Sequence, residues 1–128
     1  MIYVDTSVLL ASLLAEDRSP DEGFWSQPLS SSRLLEYETW VRVNGRKLFD
    51  THGERAQALL DRVSFLELHP KVLERALQPF PTPVRTLDAL HLASLLFLQQ
   101  RRVGVQLATY DTRMERAAKA MKIAVVSP

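Results

Sequence analysis

The sequence predicts an α/β protein: three layers, with helices covering both faces of a central parallel sheet of four to five strands. Three observations support this. Short runs rich in β-branched and aromatic residues alternate with segments of helical periodicity. Proline, glycine and serine punctuate the boundaries between them. No internal repeat or low-complexity region interrupts the pattern.

In order, "IYVD" reads as the first strand and residues 6–15 as a helix. The polar "EDRSPDEG" interrupts, and a short helix follows around residues 20–27. "PLSSS" fits a brief strand, with Ser31 or Ser32 placed to cap a helix that starts near Arg33 and runs toward Phe49. Gly53 is expected to separate it from another helix over 53–63. "VSFLELH" alternates as a strand, and Pro70 suits the first turn of the helix "KVLERAL". "QPFPTPVRT", with three prolines in nine residues, is a loop. "LDALHLASLLFLQQRR" is a largely buried helix ending in basic residues, which suit the negative end of its dipole. "VQLATYD", "TRMERAAKAMK" and "IAVV" complete the chain as strand, helix and strand.

The 128 residues suit one domain spanning 1–128, long enough to bury a proper core. At 46% hydrophobic and 24% charged, the composition excludes disordered and fibrous classes. No apolar run reaches the ~18 residues of a membrane span, and the N-terminus lacks a basic leader, so a cytoplasmic location is expected. Zero cysteines exclude disulfides, thiolate nucleophiles and cysteine-ligated zinc. The net charge of +1 hides an asymmetry: residues 1–38 hold seven acids against two bases, and residues 85–122 hold seven bases against three acids. That pattern describes either two solvated helical surfaces or a basic rim that steers a polyanion.

Two strands end alike, delivering Asp5 and Asp111 at their carboxyl ends, where open parallel sheets bind ligands. Two further acids fall where helices should be apolar. Glu38 is placed three or four residues from Leu34, Leu35 and Val41, pointing inward, whereas Glu36 sides with Trp40 and Val43. Asp88 stands four before Leu92 and seven before Leu95, on the buried stripe of its helix. Asp5, Asp88 and Asp111 each also read as helix caps; Glu38, in mid-helix, has instead a buried ion pair with Arg42 or Arg85 as its alternative. Taken together, four acids at one sheet edge repel unless neutralised, which a divalent cation achieves. All-oxygen ligands favour Mg²⁺ or Mn²⁺ over zinc. His52, His69 and His91 read as structural or solvent-facing. There is no nucleophile elbow, phosphate-cradling loop or dinucleotide fingerprint.

Four stretches, "MIYVDTSVLLASL", "SSRLLEYETWVR", "RTLDALHLASLL" and "LATYDTRMERAAKAMKIAVVSP", resemble the successive motifs of PIN-domain ribonucleases, and most closely the VapC toxins of type II toxin–antitoxin systems. The resemblance covers almost the whole chain and is weakest across 16–30 and 50–80. It implies a PIN-like fold and a Mg²⁺-dependent endoribonuclease in which Asp5 and Asp88 hold the metal. Glu38 matches the family's helical glutamate, with Glu36 as its competitor, and Asp111 matches the acid after the fourth strand. Thr6 and Ser7 match hydroxyl residues beside the metal. The resemblance also implies an RNA substrate, a homodimer and a small VapB-like antitoxin covering the acidic pocket. Arg42, Arg46, Arg85 and Arg113 are candidate contacts to the RNA backbone. Leu10, Leu14, Phe24 and Trp25 are candidate interface residues, with core packing as their alternative. Two competing classes are a silent RNA-binding module and an aspartate-based phosphoryl-transfer protein. For the latter, a haloacid-dehalogenase-like phosphatase wants a second aspartate where Ser7 stands, and a receiver domain wants a lysine that "LATYD" does not offer nearby.

Overall fold

The computed structural model describes residues 1–128. Its elements are β1 (Ile2–Val4), α1 (Thr6–Leu13), α2 (Glu22–Trp25), β2 (Leu29–Ser32), α3 (Leu34–Gly45) and α4 (Phe49–Leu60). β3 (Val63–Leu66), α5 (Pro70–Ala76), α6 (Thr86–Gln100), β4 (Gln106–Ala108), α7 (Thr112–Ala120) and β5 (Val125–Val126) follow. All five strands are parallel, in the order β3-β2-β1-β4-β5. The chain builds outward from β1 to β3 and then returns to lay β4 on the other side of β1. The switch point of the sheet therefore lies between β1 and β4.

Alternation along β1 divides the core between the two faces. Ile2 and Val4 join Val8, Leu9, Leu35 and Leu60 on the side covered by α1 to α4. Tyr3 points the other way, among Leu92, Leu95, Leu107 and Met114, under α6 and α7. α5 packs on α6 through Val72, Ala93 and Phe97. Together these make the three layers that the alternating pattern predicts. β2 carries three buried serines where aliphatic residues are usual, and each hydroxyl is satisfied. Ser30 and Ser31 donate to the Ile2 and Val4 carbonyls of β1, and Ser32 Oγ accepts from Leu34 N at 3.1 Å.

One expectation fails here and another is narrowed. Gly53 does not separate helices: it lies inside α4, buried against the Phe49 ring. The break falls instead at Lys47, which adopts a left-handed conformation (φ 56°). Leu48 N then closes on Val43 O at 2.9 Å and Lys47 N on Asn44 O at 3.1 Å, which caps α3. Second, of the four candidate interface residues Leu10, Phe24 and Trp25 are buried in the core, as their core-packing alternative has it, and Leu14 packs against it while staying partly exposed. Trp25 is further anchored by its indole N–H, which donates to Ser12 Oγ. No helix is long and apolar enough to cross a membrane.

Candidate active site

The register of the two central strands places the first two acids. Val4 is level with Ala108, so Asp5 and Thr109 leave the sheet edge side by side, and Asp5 N bonds to Ala108 O. Asp5 is 5% exposed, and its side chain makes no capping bond to α1. Its Oδ2 instead accepts from Ser7 Oγ and Thr109 Oγ1, both at 2.7 Å. Thr109 Oγ1 in turn accepts from Asp111 N at 3.0 Å, so one hydroxyl joins the two acidic strand ends. Asp111 is a true cap: its Oδ1 takes the amides of Arg113 and Met114 at the start of α7. Its Oδ2 accepts from Arg85 Nη2 at 3.1 Å.

Asp88 stands in the first turn of α6 without capping it; Arg85 occupies the cap position. Its Oδ2 is buried and makes no hydrogen bond, the nearest cation being Arg85 Nε at 3.7 Å. Burial above all, and then the charges of Asp5 and Asp111, hold its carboxyl above the ordinary aspartate range, with Arg85 and His91 pulling the other way. Three of the four acids are thus close enough to disturb one another.

Glu38 reaches the same place from α3. The buried residues of this helix are Leu34, Leu35, Thr39 and Val43, whereas Val41 is 51% exposed, so of the three residues taken to mark the inward face Leu34 and Leu35 belong to it and Val41 does not. Glu38 lies at the margin of the true stripe, close enough for its Oε1 to accept from Thr6 Oγ1 at 3.0 Å. The same oxygen lies 2.6 Å from His91 Nε2. Its ion-pair partner is therefore His91, not Arg42 or Arg85. Glu36 turns outward to Arg33, at 3.4 Å.

His91 is the main residue that sequence reasoning missed. It is 1% exposed, with Nδ1 2.7 Å from the Tyr3 hydroxyl, which also accepts from Ser32 N. Burial opposes a charge on the ring. The Tyr3 hydroxyl, the Glu38 hydrogen bond and the charge of Asp5 outweigh it and push the imidazole up to about 10. Whether the ring is a cation or neutral with its proton on Nε2, that nitrogen donates to Glu38. The signal was present in the sequence: His91 follows Asp88 by three, on the same helical face. His52 and His69 lie outside the site, and His69 caps α5 through Nδ1.

A groove of about 270 Å³ opens beside these groups, lined by Asp5, Thr6, Ser7, Glu38, Arg42 and Asp111, with Asp88 and His91 set behind its lining. No three carboxylate or imidazole groups form a ready-made cage around an ion. The donor set suits a cation that keeps several waters, as Mg²⁺ does. Asp88 Oδ2, buried without a hydrogen bond beside two other carboxylates, gains most from a cation there.

These features define a class: a doubly wound α/β protein with an acidic crevice at its switch point. Comparison with known proteins narrows it. The family model "PIN domain" matches residues 2–120. "Ribonuclease VapC46" of Mycobacterium tuberculosis (strain ATCC 25618 / H37Rv) is 43% identical, with 99% of this chain and 97% of the relative covered. "Ribonuclease VapC47" of Mycobacterium tuberculosis (strain CDC 1551 / Oshkosh) is 31% identical, covering 100% and 97%. A solved structure, "Toxin-antitoxin complex from Klebsiella pneumoniae", superposes with a TM-score of 0.67 at 19% identity, covering 100% of this chain and 98% of that one; it shares the fold. The chain belongs to the PIN domain family and is of the VapC type.

Proposed function

We propose that this chain is a metal-dependent endoribonuclease and the toxin of a type II toxin–antitoxin pair, cutting phosphodiester bonds in single-stranded or loop RNA. The observation that carries the reading is Asp88 Oδ2, buried without a hydrogen bond beside the charges of Asp5 and Asp111 and met only by a long contact to Arg85. Asp5 and Asp88 would hold Mg²⁺, or Mn²⁺ in its place. When bound, the ion offsets charge developing on the phosphate and makes a coordinated water more acidic.

The protein's own groups do the rest. Ser7 and Thr109 fix Asp5 through Oδ2 and leave Oδ1 for the groove. Thr6 and His91 fix Glu38 through Oε1, so Oε2 is left to orient the attacking water and accept its proton. The water oxygen bonds to phosphorus, the bond to the 3′ oxygen breaks and that oxygen takes up a proton, giving a 5′-phosphate and a 3′-hydroxyl. Asp111 has both oxygens engaged, one in the α7 cap and one by Arg85. It acts through its charge, and as a ligand once substrate draws the exposed Arg85 away.

A VapB-like antitoxin covering the groove and a homodimer both fit this reading. The apolar surface available to them is Tyr37, Val41 and Phe49 on one side and Leu73, Leu77 and Leu87 on the other, all exposed. The test is cleavage of single-stranded RNA by the purified chain in Mg²⁺, in EDTA, and by Asp5→Asn. Activity is expected in Mg²⁺ alone, with Asp5→Asn reduced more than about 100-fold. Cleavage that persists in EDTA, or in Asp5→Asn at the wild-type rate, refutes the reading.

A further inference from the structure

A second pocket of about 270 Å³ is lined by Thr82, Pro83, Arg113 and Arg116, with Arg113 two residues beyond Asp111 in the chain. Three properties set it apart. Arg113 and Arg116 stand three residues apart on α7, a spacing that puts both guanidiniums on one face, and neither pairs with a carboxylate or an aromatic ring, a state they share with Arg42, Arg46, Arg55 and Arg102 but, unlike those, beside one common pocket. Thr82 Oγ1 is buried yet makes no hydrogen bond, the only such hydroxyl in the chain. The pocket joins two elements: Pro83 belongs to the proline loop, and the amide of Arg113 is held by Asp111 Oδ1 at 2.8 Å. Two like charges three apart on a helix repel, and a buried hydroxyl without a partner is costly. An anion with several acceptor oxygens relieves both.

We propose that Thr82, Arg113 and Arg116 form a phosphate subsite that grips the RNA backbone one step along from the scissile phosphate. Forked guanidiniums and a hydroxyl match phosphate oxygens, and such contacts set the register of the strand without reading its bases. The backbone amide of Arg113 donates to Asp111 Oδ1, which ties the start of α7 to the acidic groove, so a strand seated in one is aligned with the other. An acidic protein segment would use the same guanidiniums, but α7, which carries them, is capped by Asp111, a residue of the groove where a phosphodiester must lie, which favours nucleic acid. The inference rests on the ribonuclease reading above.

The test uses oligouridylate in EDTA, where binding is measured without cleavage, for the wild type, Arg113→Gln/Arg116→Gln, Thr82→Val and a charge-matched control, Arg101→Gln/Arg102→Gln, at the far end of α6. The α7 double variant should flatten the plot of log affinity against log salt by about 1.4, while the control leaves it unchanged. Thr82→Val should weaken RNA binding about tenfold, yet leave the melting temperature equal or higher, since it removes an unsatisfied group. In Mg²⁺ the same variants should raise KM with kcat held, the mark of binding away from the reacting atoms. An unchanged salt slope in the double variant overturns the subsite, as does equal weakening by the control. Loss of oligoglutamate binding with RNA binding intact overturns it in favour of a protein partner. Absence of cleavage by the wild type in Mg²⁺ counts against the ribonuclease reading instead, so the two failures are distinct.

Discussion

Asp88→Asn should make the metal-free protein more stable and the metal-loaded protein relatively less so. Asparagine keeps the shape and removes a charge that is poorly solvated, without a hydrogen bond, and faced by two other carboxylates. Leaving a neutral polar group buried without a partner costs about 1–3 kcal/mol and a charged one more, so asparagine relieves the excess and keeps the rest. The pair with Arg85 is long at 3.7 Å and its cation is 62% exposed, so it returns less than about 1 kcal/mol. The net gain from substitution is about 1 kcal/mol, a rise of about 4 °C for a chain of this size. The pH dependence has a definite sign. The folded pKa lies above the unfolded value, so the wild-type penalty is absent at low pH and grows as pH rises through the folded pKa. The gap between variant and wild type should open over that window and vanish below both values. Adding Mn²⁺ at 100 times its Kd stabilises the wild type by about 2.7 kcal/mol and should reverse the order, because the variant has lost a ligand. Calorimetry of both proteins with and without Mn²⁺, from acid to neutral pH, checks every part. An asparagine variant that melts lower in EDTA, or gains as much from Mn²⁺ as the wild type, refutes the assignment of strain to Asp88.

Tyr3→Phe should cost about 1–3 kcal/mol in chemical denaturation, because it strips His91 Nδ1 and Ser32 N of their common partner inside the core. His91 has a folded pKa raised above its unfolded value, so its charge stabilises the metal-free fold fully below about pH 6.5. That contribution drains away as pH climbs toward about 10; in urea titrations His91→Gln should flatten the decline. Glu38→Gln should lower cleavage more than about 100-fold, whereas Glu36→Gln, which loses only the exposed pair with Arg33, should stay within about twofold. Lys47→Gly should raise stability by about 1 kcal/mol by relieving a left-handed backbone that lysine tolerates poorly; a lower melting point would contradict the cap geometry.

Much of the fold was legible because strand alternation and helix periodicity are local signals that the packing then confirms. Tyr3 facing opposite to Ile2 and Val4 follows directly from them. Helix ends were harder to read. Ala15, Lys47, Arg102 and Lys122 all turn the chain in the left-handed region and no glycine does, so a search for glycine misplaced the break to Gly53, where a packed aromatic ring keeps the helix running. Asp5 and Asp111 could be placed from sequence because strand ends converge by topology. The inward tilt of Glu38 was inferred from Leu34, Leu35 and Val41, of which the first two are buried and Val41 is covered by solvent. The partnership of Glu38 with His91 joins residues 53 apart across two helices, and no local pattern encodes that distance.

The buried phenol of Tyr3 ties β1 to β2 through Ser32 and to α6 through His91. The helix bearing Asp88 is therefore indexed to the sheet from within, one turn below the acid, and not by the segment that leads into it. The stretch between α5 and α6 is thereby released from any duty to measure out the spacing of the acids. Additions or deletions at residues 78–81 should leave the acidic crevice in register, so related chains are free to lengthen or shorten this approach while keeping the same chemistry.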